Sequence, residues 1–250
     1  MKTLIALFVT FVLSCGTVHA KLNITILLEP SQTDSIHIVE LPKLGIAMPL
    51  RGDSLMIIDN NLPVVHVKNY TGTNNFIATD SVVYYSVDNF IYSLNPSNGE
   101  SKRVAVIDND QFTLYPAVGN SFFVVTSDEE YSRCQLFDPV NKIYSDILEI
   151  EAPIYKVAAN DNHVIVWAGN NLLLVGNNGN IATLITEPSI RDFVLTDNGI
   201  IFADDEGLYI VKSITQQTHL TTLSVTRLWY VADILYILTE SGHLFAIYNE

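Results

Sequence analysis

From Asn75 to Asp110 the sequence alternates short apolar runs with clusters of turn-forming residues, and the rest of the chain repeats this pattern. Phe76–Thr79, Val82–Val87, Phe90–Leu94 and Arg103–Ile107 are rich in Val, Ile, Tyr and Phe and too short for helices. Between them lie Asp80-Ser81, Asp88-Asn89 and Asn95-Pro96-Ser97-Asn98-Gly99-Glu100, which supply the Asn, Asp, Gly and Pro that tight turns require. The pattern predicts a four-stranded antiparallel sheet.

Equivalent second strands start at Ser81, Ser121, His163, Gly199 and Ile234, spaced by 40, 42, 36 and 35 residues. A period of that size marks a repeat architecture. Four of these strands follow turn pairs of one kind, Gly119-Asn120, Asp161-Asn162, Asp197-Asn198 and Ala232-Asp233, whose residues suit tight hairpins. Third strands follow at Phe90–Leu94, Arg133–Phe137, Leu172–Val175, Leu208–Val211 and Leu244–Tyr248. A shorter unit, Gly45–Leu50, Leu55–Asp59 and Val64–Lys68, precedes them. The last repeat reaches Glu250 with three strands, whereas Leu22–Leu28 is a strand candidate without a neighbour. Pairing the two would hide two sheet edges. The resulting expectation is an all-β, six-bladed β-propeller over residues 21–250, its ring closed by the N-terminal strand, with a β-sandwich as the alternative.

The stretch Val82–Glu100, with Asp88-Asn89-Phe90-Ile91-Tyr92-Ser93-Leu94 and Asn98-Gly99-Glu100, resembles the quinoprotein (pyrroloquinoline-quinone-like) propeller repeat. Fainter echoes are Glu206-Gly207-Leu208-Tyr209-Ile210-Val211 and Ser241-Gly242-His243-Leu244-Phe245-Ala246-Ile247. The usual tryptophan pattern is missing. The resemblance implies a fold, and members of that kind include scaffolds that bind without the quinone.

Lys2, the apolar run Leu4–Leu13 and the small residues ending at Val18-His19-Ala20 form the three regions of a secretory signal peptide cleaved after Ala20. The expectation is a secreted protein, periplasmic in a bacterium, or lipid-anchored through Cys15 if Leu13-Ser14-Cys15 is read as a lipoprotein signal. No second apolar run is long enough to span a membrane. Export removes Cys15 and leaves Cys134 without an internal disulfide partner. Asn23-Ile24-Thr25 and Asn69-Tyr70-Thr71 are N-glycosylation sequons in a eukaryotic secretory context.

The formal net charge of −14 argues against nucleic acid and anionic membranes, which select basic surfaces. In a propeller, the loops joining strands two to three and strand four to the next repeat share one face. Here they contain Asp88, Asp108, Asp128, Glu129, Glu130, Asp204, Asp205 and Glu206. These residues are the candidate site for a protein or small cationic ligand, with solubility as the competing explanation. The chain thus reads as a binding scaffold rather than an enzyme, with no cofactor. The alternative is a calcium-assisted hydrolase or lyase that gathers carboxylates from several blades at a channel mouth, although no D-x-[DN]-x-[DN]-G loop is present. Lys156, Asp192 and Arg227 fall at one repeat position and are expected to tie neighbouring blades together. Arg51-Gly52-Asp53-Ser54 reads as a chance adhesion tripeptide, and the histidines are scattered without catalytic spacing.

Overall fold

A computed structural model describes residues 22–28, 39–41, 45–50, 54–58, 67–68, 76–79, 82–94, 100–109, 111–128, 130–176, 178–187, 189–213, 216–231 and 233–249. The signal sequence, Glu129, Asn69 and Arg51-Gly52-Asp53 lie outside these residues, and Asn23 is described only at strand level.

The ordered pattern is a succession of antiparallel sheets. The first strand, β1 (Leu22–Leu28), precedes β2 (Val39–Leu41), β3 (Gly45–Leu50), β4 (Ser54–Ile58) and β5 (Val67–Lys68), and β2 to β5 form one sheet. The next sheet runs β6 (Phe76–Ala78), β7 (Val83–Val87), β8 (Phe90–Leu94), β9 (Ser101–Val106). It is followed by β10 (Phe112–Pro116), β11 (Phe122–Ser127), β12 (Ser132–Asp138), β13 (Ile143–Ile150), and then by β14 (Ile154–Ala159), β15 (Val164–Ala168), β16 (Asn171–Val175), β17 (Ile181–Thr186). The remaining strands are β18 (Asp192–Thr196), β19 (Gly199–Ala203), β20 (Leu208–Ser213), β21 (Gln216–Thr221) in one sheet, and β22 (Val225–Val231), β23 (Ile234–Thr239), β24 (Leu244–Asn249) in another, where β1 is the fourth strand.

The expected six-bladed ring is corrected. Five sheets are full blades, with outer strands of six to eight residues. The β2–β5 sheet is reduced, because β5 has two residues and meets β4 only through Ser54↔Lys68 and Leu55↔Val67. Its sequence gives the reason: Asp59-Asn60-Asn61-Leu62-Pro63 and Asn69 to Asn75 place turn formers on both sides of a short apolar run. Its first strand, Val39–Leu41, was not expected, so Gly45–Leu50 is a second strand and not a first. β1 does pair with β24, from Leu22↔Asn249 to Leu28↔Leu244. That register completes one sheet and does not establish closure of a ring.

The five full blades share one irregularity. The outer strand contains an extra residue opposite its neighbour: Val104 in β9, Ile147 in β13, Leu184 in β17, Leu220 in β21 and Leu27 in β1. Each is aliphatic. Val104, Ile147 and Leu220 are half-buried against the cores between blades. A bulge of this kind twists an edge strand away from further pairing.

The chain divides into two compact units. In the unit of residues 35–188, Phe122, Val124 and Phe137 of one blade pack with Ile77, Tyr84 and Ile91 of the preceding one. On the other face of the same blade, Phe123, Val125, Cys134 and Leu148 meet Val157, Val166 and Leu173. Burial pushes the Cys134 thiol up to about 12, so it behaves as a core group. In the unit formed by residues 1–34 and 189–250, Val194, Ile201 and Ala203 pack against Val225, Leu228 and Ile237. There the two innermost strands are joined by Asp192, which is 1% exposed. Its carboxylate accepts from Phe193 N at 2.8 Å and from Leu228 N at 2.7 Å across the blade boundary.

Replacing Asp192 by Asn should turn an N–H donor toward a buried backbone N–H. The expected loss is about 1–3 kcal/mol, measured as a lower urea midpoint at unchanged slope. Gly207 has φ of 144°, and a Cβ there would stand 2.0 Å from the Thr221 carbonyl oxygen, whereas Gly119 at φ 72° has open space. Gly207→Ala should therefore lower the melting temperature further than Gly119→Ala, whose strain alone costs about 1 kcal/mol.

Candidate functional site

Two of the turns between second and third strands are built by a carboxylate oxygen that meets the turn amides. Asp128 Oδ1 accepts from Glu130 N at 2.9 Å and Tyr131 N at 2.7 Å, while Asp128 N donates to the Tyr131 carbonyl at 3.0 Å. The Tyr131 and Glu130 amides hold the Asp128 carboxyl below its ordinary value. Asp204 Oδ1 accepts likewise from Glu206 N at 2.7 Å and Gly207 N at 3.0 Å, and Asp204 is buried. Two of the acids expected to face a ligand, Asp128 and Asp204, are thus engaged in making the turns.

The other expected residues separate into distinct situations. Asp205 is bound by Arg191, whose Nε stands 2.7 Å from its carboxylate and whose Nη1 also bonds Glu240 of the next blade. Pairing with Arg191 holds the Glu240 carboxyl low. Glu206 is exposed, with the Tyr209 hydroxyl 3.4 Å away. In the other unit Asp88 is exposed at φ 52°, and Glu130 and Asp108 are exposed. The Asp108 carboxylate has no hydrogen-bond or ion-pair partner among the described residues.

Asp108 stands at a cleft of about 530 Å³ between the β6–β9 and β10–β13 blades, within the size range of small-ligand sites. One wall is Val106, Ile107, Asp108 and Asn109; the other includes Val124, Thr126 and Asp128, then Tyr131, Arg133, Gln135, Tyr144 and Glu149. Arg133 donates from Nε at 2.9 Å and from Nη2 at 2.5 Å to the same oxygen of Glu149. Gln135 donates to Asp146 at 2.7 Å. Asn109 donates to the Ser127 carbonyl at 3.1 Å and fixes the loop that carries Asp108. Burial, with the Asp108 charge adding to it, raises the Tyr144 phenol above its ordinary value. Val106, Tyr131 and Tyr144 are 48%, 40% and 37% exposed, so apolar and aromatic surface lies open beside the acids.

Sequence reasoning located Asp108 and Asp128 and missed Tyr131, Arg133, Gln135, Tyr144 and Glu149. Simple alternation along β13 puts Tyr144 and Asp146 on one face and Glu149 on the other. The extra residue Ile147 reverses that parity, so Arg133↔Glu149 and Gln135↔Asp146 are neighbouring pairs. The Lys156, Asp192 and Arg227 row also takes a different form, since Asp192 is buried on the Leu228 amide and Arg227 is exposed. Among the described residues no three His, Cys, Asp or Glu side chains come together as a metal-binding group, and no helix is long and apolar enough to cross a membrane.

No protein-family model matches the chain, and no curated protein matches it in sequence. Solved structures do match in fold. An extracellular domain assigned to a hybrid two-component system of B. thetaiotaomicron superposes with a TM-score of 0.63 at 13% identity, covering 98% of this chain and 40% of that one. The chain therefore spans less than half the length of that structure. The Neurospora crassa Pan2 WD40 domain gives 0.64 at 9% identity over 84% of this chain and 74% of its own. A catalytically inactive virginiamycin B lyase from Staphylococcus aureus, solved with quinupristin, gives 0.58 at 9% identity over 91% and 99%. These likenesses are of fold, and the fold they share with this chain is the β-propeller.

Proposed function

We propose that this chain is an exported, non-catalytic β-propeller that binds a protein or a small cationic ligand through its acidic loops, with Asp88, Asp108 and Glu130 as the available charges in the 35–188 unit. The observation that carries the reading is the Asp108 carboxylate, unengaged by any described residue and lining a cleft. An exposed carboxylate that bonds no turn amide among the described residues is free to attract an incoming cation, and the surplus of acids over bases extends that attraction beyond contact distance. The extracellular domain among the fold neighbours supports export. No resident cofactor takes part in this reading. Its rival, a calcium-assisted hydrolase or lyase, requires calcium to raise the melting temperature.

Association of a decalysine peptide tests the reading. Its rate should fall about tenfold between about 10 mM and about 150 mM salt as the charges become screened. Asp88→Asn combined with Glu130→Gln should slow it several-fold at low salt and flatten its salt dependence. An unchanged rate in that variant, or a melting temperature that rises with calcium and falls with chelator, would sink the reading.

A further inference from the structure

We propose that the cleft between the β6–β9 and β10–β13 blades is a receptor for a guanidinium group. The inference deepens the acidic-loop reading and rests on it for the sign of the ligand's charge. Three carboxylates, Asp108, Asp128 and Glu149, line the cleft against one guanidinium, Arg133. Arg133 is already answered, because its Nε and Nη2 both bond one Glu149 oxygen. The Asp128 Oδ1 is held by the Glu130 and Tyr131 amides. Asp108 is left as the acceptor with both oxygens available among the described residues. A carboxylate with two open oxygens matches the forked donors of a planar guanidinium.

The rest of the cleft favours that group over an ammonium. The Tyr144 ring is part exposed, lines the same cleft and is anchored from behind by Phe137, with ring centroids 4.5 Å apart. That aromatic file continues through Phe122, 5.1 Å from Phe137, to Tyr84 of the neighbouring blade, 4.7 Å further on. Tyr144 is therefore a rigid wall. A guanidinium is weakly hydrated and stacks on aromatic faces while its edge hydrogen-bonds, whereas an ammonium retains its water more tightly. Val106, which is exposed, supplies apolar surface for the alkyl stem behind such a head group. The group arrives on an arginine side chain of a protein or on a free guanidino compound.

The test uses the intact chain and Nα-acetyl-arginine amide as the probe, followed by titration calorimetry. Nα-acetyl-citrulline amide keeps the shape and lacks the charge, and Nα-acetyl-lysine amide keeps the charge and lacks the planar fork. The arginine probe should bind about tenfold more tightly than either, the ratio that one additional charge-assisted hydrogen bond gives. Asp108→Asn should remove most of that advantage. Asp161→Asn, which deletes the same charge from an exposed turn between a first and a second strand, should leave it intact and so separate local contact from net charge. Tyr144→Phe, which keeps the ring and its packing, should retain affinity, and Tyr144→Ala should lose it. A nonapeptide with one central arginine that binds more tightly than the amide assigns the group to a protein partner; equal affinity assigns it to a free guanidino compound. Equal binding of arginine and citrulline probes, or an Asp108→Asn protein indistinguishable from wild type, overturns the proposal. Salt-dependent decalysine association without arginine-probe binding would leave the acidic-loop reading standing and remove the guanidinium receptor. Arginine-probe binding without decalysine association would leave the guanidinium receptor standing and confine the acidic-loop reading to a small ligand at the Asp108 cleft.

Discussion

Hairpins this short leave turn amides that the strands cannot satisfy, and the blades depend on how that is met. The solution recurs at both ends of the sheets: a side chain at the first turn position offers oxygen to the turn backbone. Asp128 and Asp204 serve between second and third strands; Asn160, with His163 N at 2.9 Å and Asn162 N at 3.0 Å, serves between first and second. Thr239 and Thr196 do it with hydroxyls, accepting from His243 N and Asn198 N at 3.2 Å. A local hydrogen bond of this type selects turn over any competing continuation of the strand. Because a carboxylate, an amide and a hydroxyl all supply the oxygen, the repeat survives without a fixed residue at that position. The same freedom accounts for the faintness of the repeat in the sequence.

A consequence falls on the electrostatics. Acids placed in turns for their oxygens cannot be counted as ligand-facing by position alone. Asp204 is buried among its own turn amides, Asp205 is held by Arg191, and Asp128 has committed one of its oxygens. Among the described residues Asp108 is the clearest acid that no turn consumes, because Asn109 fixes the loop without engaging the neighbouring carboxylate.

Most of the strands could be read from the sequence. Phe90–Leu94 was expected over its full length, and Val82–Val87 began one residue early. Their apolar runs are dense and their breakers unambiguous, so local preference and tertiary packing agree. The sequence pattern places the early sheet one strand out of step because Val39–Leu41 is a three-residue segment, too short for alternation to register. The cleft was half legible. Its loop acids stand out as a cluster, but its other wall comes from β12 and β13, where Arg133, Gln135 and Glu149 look like ordinary polar residues of outer strands. Their convergence follows from one inserted aliphatic residue, Ile147, and a shift of register is a property of the pair of strands that neither sequence reveals by itself.

That insertion has two effects. Ile147 packs beside the core formed by Val125, Cys134 and Leu148, and so strengthens the face of the blade turned toward β14–β17. By reversing parity it also commits Glu149 to the opposite face, where it meets Arg133 and forms a polar wall on a boundary that is otherwise apolar. Charges at such a boundary are tolerable only when paired or open to water. Arg133–Glu149 and Gln135–Asp146 meet the first condition, and partial exposure meets the second. The cleft therefore remains open because its polar wall cannot be closed over with apolar side chains without stranding these pairs. A blade boundary stabilised by Phe122, Phe137 and Tyr84 at its interior is thereby left with a charged recess at its rim.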